Sequence, residues 1–108
     1  MEALLIIDMQ TGLFLNTPRF DAKTIISRIS SYFRDTDKPV VFIQHDGTRE
    51  DYLFHGSPDW EVLPDLIKSE TDMFIEKTAN DAFYRTGLNS YLQQKGIENK
   101  WNLDKDSI

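Results

Sequence analysis

At 108 residues the chain is long enough for one domain and one hydrophobic core, and too short for two. A net charge of −6 leaves no basic stripe to release counterions from a phosphate backbone, which argues against nucleic acid as a partner. There is no cysteine, so neither a disulfide nor thiolate metal ligation is open to these residues.

The opening MEALLIIDMQ holds a short apolar run that lacks a basic leader and breaks at Asp8. That is the pattern of a buried strand, not of a signal peptide or membrane span, and the expected setting is the cytoplasm, with no membrane partner. Ala3–Ile7, continuously apolar, suits a strand covered on both faces in a parallel sheet. Thr11-Gly12 and Asn16-Thr17-Pro18 interrupt the pattern. Asp21 then can cap a helix reaching about Arg34, with Ile25, Ile26, Ile29, Tyr32 and Phe33 inward. Asp37-Lys38-Pro39 stops that helix, and Val40–Ile43 is a second apolar strand ending at Gln44-His45-Asp46-Gly47. Strand, helix and strand in this order make a βαβ unit, whose crossover should be right-handed.

Thr48–Pro58 is polar and turn-rich and reads as a loop over the strand ends. Trp60–Ile67 is an apolar cluster broken by Pro64 and suggests a helical turn. Asp72–Glu76 is a third strand, ending at Lys77. Thr86 can cap a last helix that turns Leu88, Tyr91 and Leu92 inward, and Gly96 suits its C-terminal cap. No repeat or low-complexity tract divides the chain. After Gly96 a βα series should deliver another apolar strand, but Glu98–Ile108 is mostly polar. The sequence therefore divides into an α/β unit over 1–99 and an atypical polar tail over 100–108.

Asp8 and Lys77 stand where the first and third strands end, and ligands of open parallel sheets bind beyond the carboxyl ends of strands. With strands about 4.8 Å apart, such residues can meet and tune each other's ionisation. The same spacing also fits a plain ion pair that ties strands together.

The surrounding text is more specific. Leu4-Leu5-Ile6-Ile7-Asp8-Met9-Gln10 is followed by Gly56-Ser57-Pro58-Asp59-Trp60-Glu61-Val62-Leu63-Pro64. Next come Glu76-Lys77-Thr78-Ala79-Asn80-Asp81-Ala82-Phe83, Thr86-Gly87-Leu88 and Lys95-Gly96-Ile97. In this order, from about Ala3 to Asn99, they resemble the isochorismatase-like cysteine hydrolases, a superfamily of isochorismatases, nicotinamidases and carbamoyl amidases. The resemblance implies a Rossmann-like mostly parallel sheet ordered 3-2-1-4-5-6, of which this chain would keep 3-2-1, with helices on both faces. It also implies hydrolysis of C–N amide or vinyl-ether bonds in small molecules, without a cofactor.

In that family an aspartate, a lysine and a cysteine form the catalytic triad, and Asp8 and Lys77 match the first two. The resemblance gives Asp8 the thiol proton and gives Lys77 the stabilisation of thiolate and developing negative charge. A thiol with a pKa near about 8.5 needs such neighbours to act at neutral pH. The family's cysteine follows the next strand, where this sequence has Lys100–Ile108. The chain thus resembles a truncated or frameshifted member, catalytically incomplete alone. Two alternatives stand beside this: a cysteine-independent isochorismatase-type hydrolase using Asp8, Lys77 and Gln44, and a non-catalytic module for self-association or partner binding. With only three strands kept, Ala3–Ile7 would be an exposed edge through which copies pair.

Phe14, Phe20, Tyr52, Phe54, Trp60 and Phe83 could line a substrate pocket, with Gln44, Phe14, Trp60 and Phe83 the chosen substrate contacts; each also suits core or lid packing. Nicotinamidase-like relatives bind a metal with Asp and His after the second strand. Here His45, Asp46 and His55 lack the D-x-H spacing, and neighbours in extended chain point oppositely, so no metal is expected.

Overall fold

The computed structural model describes residues 1–14, 20–64 and 66–104, the side chains of 20–23 excepted. The Asn16-Thr17-Pro18 break and the Phe20 ring therefore lie outside the described residues, while the helix expected to be capped by Asp21 begins one residue earlier, at Phe20, and takes Asp21 into its first turn.

The elements are β1 (Glu2–Ile7), α1 (Phe20–Asp35), β2 (Val40–His45), β3 (Met73–Lys77), α2 (Leu88–Gln94) and β4 (Asn99–Asp104). All four strands are parallel, in the order β3-β2-β1-β4. The α/β architecture and the 3-2-1 order expected from the sequence are present, extended by one strand.

Alternation in β1 and β2 divides the core into two layers. Leu4, Ile6, Val40 and Phe42 face one side, where Ile26 and Phe33 of α1 cover them together with Val62, Leu63 and Leu66. Ala3, Leu5, Val41 and Ile43 face the other, under Leu88 and Leu92 of α2, with Ile75 and Ala82. Successive strand side chains point to opposite faces, so a run apolar at every position is what a sheet covered on both sides requires.

The inward stripe of α1 is Ile26, Ser30 and Phe33, with Ile29 partly covered. Ile25 and Tyr32, expected inward, are exposed. At about 100° per residue each lies one step behind a buried neighbour and leaves the contact face. Asp37, with φ of 57°, turns the chain out of the helix while Lys38 N–H donates to the Phe33 carbonyl (2.8 Å). Pro39 prevents continuation. The last helix has Gly87 at its N-cap, one residue after the expected Thr86, whose Oγ1 still accepts from Leu88 N–H, and Gly96 takes the left-handed φ of 68° as expected.

Two expectations fail. Among the described residues of Trp60–Ile67 no helix forms, and a single turn closes where Leu66 N–H donates to the Leu63 carbonyl (3.1 Å). Glu61 O accepts from Thr11 N–H (2.9 Å), Met9 O accepts from Leu63 N–H (2.9 Å), and Gln10 and Val62 form an antiparallel bridge. The backbone after β1 offers this segment extended pairing, which Pro64 does not obstruct, while Val62 and Leu63 fill the α1 layer. Gly12 is needed here because a Cβ would lie 2.7 Å from that of Asp59.

The second failure is larger. The polar stretch after Gly96 is a strand, pairing with β1 from Glu2↔Asn99 to Ile7↔Asp104. It straddles the boundary drawn between the α/β unit and the tail. β1 is thus an interior strand paired on both sides, and the exposed first-strand edge that was to join copies of the chain does not exist. Among the described residues no helix is long and apolar enough to cross a membrane.

Candidate active site

Asp8 follows β1 directly. Its backbone continues the ladder, donating to the Ile43 carbonyl (3.0 Å), then turns with a left-handed φ of 60°. Aspartate tolerates that conformation better than most residues. Lys77 closes β3, paired with His45 of β2. In this sheet β2 lies between β1 and β3, so the two ends are about 9.6 Å apart, two strand spacings. A lysine side chain can cross that gap, and Lys77 Nζ lies 3.2 Å from Asp8 Oδ1. The lysine side chain is 3% exposed and the aspartate 27%.

The contact is a meeting of charges without hydrogen-bond alignment: Asp8 Oδ1 is buried and accepts no hydrogen bond among the described residues. Lys77 Nζ also reaches His45 Nδ1, at 3.4 Å and in hydrogen-bonding geometry. On the ring's other side His45 Nε2 lies 3.3 Å from Glu50 Oε1, and the Tyr52 ring stands 5.9 Å away. Burial first, then the Glu50 and Asp8 carboxylates, push the Tyr52 hydroxyl above its ordinary pKa, so it stays a neutral donor.

Gln10 holds these pieces in place. Fully buried, it accepts from His45 N–H through Oε1 (3.0 Å) and donates from Nε2 to the carbonyls of His45 (3.0 Å) and Trp60 (2.8 Å). It thereby continues the β1–β2 ladder with a side-chain amide and ties the Trp60 segment to it. No role was foreseen for Gln10 or for the Lys77–His45 contact. Position 10 shares the strand phase of Asp8, and that is the one signal the sequence offered.

Of the expected substrate contacts, Gln44 and Trp60 meet, while Phe14 and Phe83 pack elsewhere. Gln44 Nε2 donates to the Trp60 carbonyl (3.3 Å), and the Trp60 ring lies against His55. Phe14 packs on the α1 layer, while the half-exposed Phe83 ring faces the Lys100 amine on β4 at 4.8 Å. A cavity of about 510 Å³ is lined by Gly12, Tyr52, Leu53, Phe54, Ser57 and Asp59 among others; Asp8 and Lys77 are not in its wall. His45, Asp46 and His55 are engaged separately: His45 as above, Asp46 by Thr48, His55 by Glu76. Among the described residues no group of three or more His, Asp or Glu could hold a metal ion. The cluster can move a proton at Asp8 and stabilise an anion at Lys77, and these 108 residues contain no thiol between the two.

The isochorismatase domain family matches residues 2–100. The chain belongs to it. YddQ of Bacillus subtilis, an uncharacterised isochorismatase family protein, is 29% identical over 103 residues, covering 89% of this chain and 57% of YddQ. A crystal structure of an isochorismatase family protein is 30% identical with a TM-score of 0.86, covering 95% of this chain and 63% of that one. A hydrolase of the family from Chromobacterium violaceum is 25% identical with a TM-score of 0.83, over 96% and 56% of the two chains. The chain thus spans a little over half the length of the relatives it matches. The four-stranded isochorismatase-like sheet is shared with both structures.

Proposed function

We propose that this isochorismatase-like chain supplies the carboxylate and amine of a hydrolase site for small molecules with C–N amide or vinyl-ether bonds, and does not turn them over by itself. The observation that carries the reading is the 3.2 Å meeting of Asp8 and Lys77 across β2, in a sequence without cysteine. Asp8, one side open to solvent, takes the proton of an attacking thiol; Lys77 holds the thiolate and the charge that develops after attack. The thiol comes from outside these 108 residues. The partner in this reading is a small molecule, the setting is the cytoplasm, and no cofactor is used.

The test is hydrolysis of amide, carbamoyl and vinyl-ether substrates by the chain alone and by the chain mixed with a full-length relative. No turnover by the chain alone is expected. A rate that Asp8→Ala abolishes would establish the cysteine-independent alternative, with Asp8 as proton donor. The buried Asp8 Oδ1, free of hydrogen bonds among the described residues, is the feature that favours that second reading.

A further inference from the structure

Lysine's ammonium has three N–H donors and no lone pair, so in its 3.4 Å contact with His45 the Nδ1 atom must be the acceptor. A neutral imidazole with a lone pair on Nδ1 carries its proton on Nε2, and Nε2 is the atom 3.3 Å from the Glu50 carboxylate. The Nδ1 contact thus fixes the tautomer, and the Glu50 carboxylate lies on the side that bears the proton, at ion-pair distance. A doubly protonated ring would aim an N–H at an ammonium. The Asp8 contact is shorter but lacks hydrogen-bond geometry, so Asp8 supplies charge without direction.

We propose that His45, as the Nε2–H tautomer that accepts from Lys77 through Nδ1 with the Glu50 carboxylate beside Nε2, is the positioning residue that aims the Lys77 ammonium and leaves the Asp8 carboxylate available for proton transfer. The proposal rests on the reading of Asp8 and Lys77 as the working pair and adds what orients them. The groups facing the ring are Lys77 from β3, Glu50 from the turn after β2, the Tyr52 ring, and Asp8 beyond Lys77. Gln10 clamps the His45 backbone on both sides, so the ring pivots about a fixed strand end. The carboxylate behind the imidazole favours a proton on the nitrogen that faces it, in keeping with the tautomer that the Lys77 contact requires.

The experiment is nuclear magnetic resonance on the ¹⁵N-labelled 108-residue chain. Two-bond proton–nitrogen spectra at neutral pH should show His45 with Nδ1 unprotonated and Nε2 protonated; an Nδ1–H ring overturns the proposal whatever the variants do. Exchange of the Lys77 ammonium protons is the second readout. His45→Leu should speed it about tenfold, the scale of one lost hydrogen bond to a charged group. His45→Asn, which keeps an oxygen acceptor near the Nδ1 position, should stay within about twofold of the parent. Equal rates in parent and Leu variant, with β1 amides still protected, also overturn it. If the Leu variant does not fold, the parent's ring spectrum and the Asn variant decide. No readout uses turnover, so an inactive protein leaves the proposal standing and a wrong tautomer leaves the catalytic reading standing.

Discussion

β1 has two parallel neighbours made from opposite kinds of sequence. β2, VVFIQH, is buried at every position; β4, NKWNLD, is exposed over its first four residues and half-buried at the last two. Both run in register with β1, β2 from Leu4 to Ile7 and β4 from Glu2 to Ile7. Backbone pairing is therefore no guide to composition. The ladder needs only N–H and C=O groups, which every residue but proline carries. Apolar content reports whether helices cover the faces, and here they cover β2. On β4, Leu103 reaches the α1 layer, while the Trp101 ring is 58% exposed with its indole N–H donating to Glu2.

Mutation should separate the two strands sharply. Phe42→Ala on β2 removes a ring buried in the α1 layer and should lower stability by about 3–5 kcal/mol, the cost of an aromatic cavity; denaturant unfolding measures it. If β2 and β4 are equally dispensable, the two-layer account fails.

The site gives the next largest effect. Asp8→Ala strands an ammonium that is almost fully buried, and should cost about 3 kcal/mol, the low end for a buried pair because Asp8 is partly exposed. Lys77→Met leaves a carboxylate that can rehydrate through its exposed side, and should cost less. Equal losses, measured in the same unfolding experiment, would show that the pair is a surface-like tie and not a buried site.

On β4, Trp101→Ala should change stability by no more than about 0.5 kcal/mol. Hydrogen exchange sharpens the contrast: amides of Leu4–Ile7 should be among the slowest in the chain and those of Asn99–Asp104 faster, because β1 is paired on both sides and β4 on one. Fast exchange at Leu4–Ile7 would restore the exposed first strand that the topology removes.

The smallest effect concerns the loop above the strand ends. The His55 pKa is raised from its ordinary 6.5, first by the hydrogen bond to Glu76 and then by that carboxylate's charge. For a raised histidine, the contribution to stability is fully present below the unfolded value and lost as pH rises through the folded one. The tie from His55 to Glu76 should accordingly hold at mildly acidic pH and loosen above the ordinary imidazole range. Glu76→Gln should bring the His55 titration, followed by its ring proton shift, back down. His55 is solvent-exposed, so added salt should weaken the difference.

From the sequence alone came three strands, two helices, the parallel class and the positions of Asp8 and Lys77. These were legible because burial on two faces writes uninterrupted apolar runs, and because polar residues that end such runs stand out. Gln10 was not legible: a glutamine spends its polarity on backbone groups that only folding brings near, here those of residues 45 and 60. Nor was the role of His45, whose partners at positions 50 and 77 meet it only in space. The fourth strand was hidden for the opposite reason. Its edge position imposes no apolar pattern, so nothing local marks it, and only the free hydrogen-bonding side of β1 decided that those residues would extend along it.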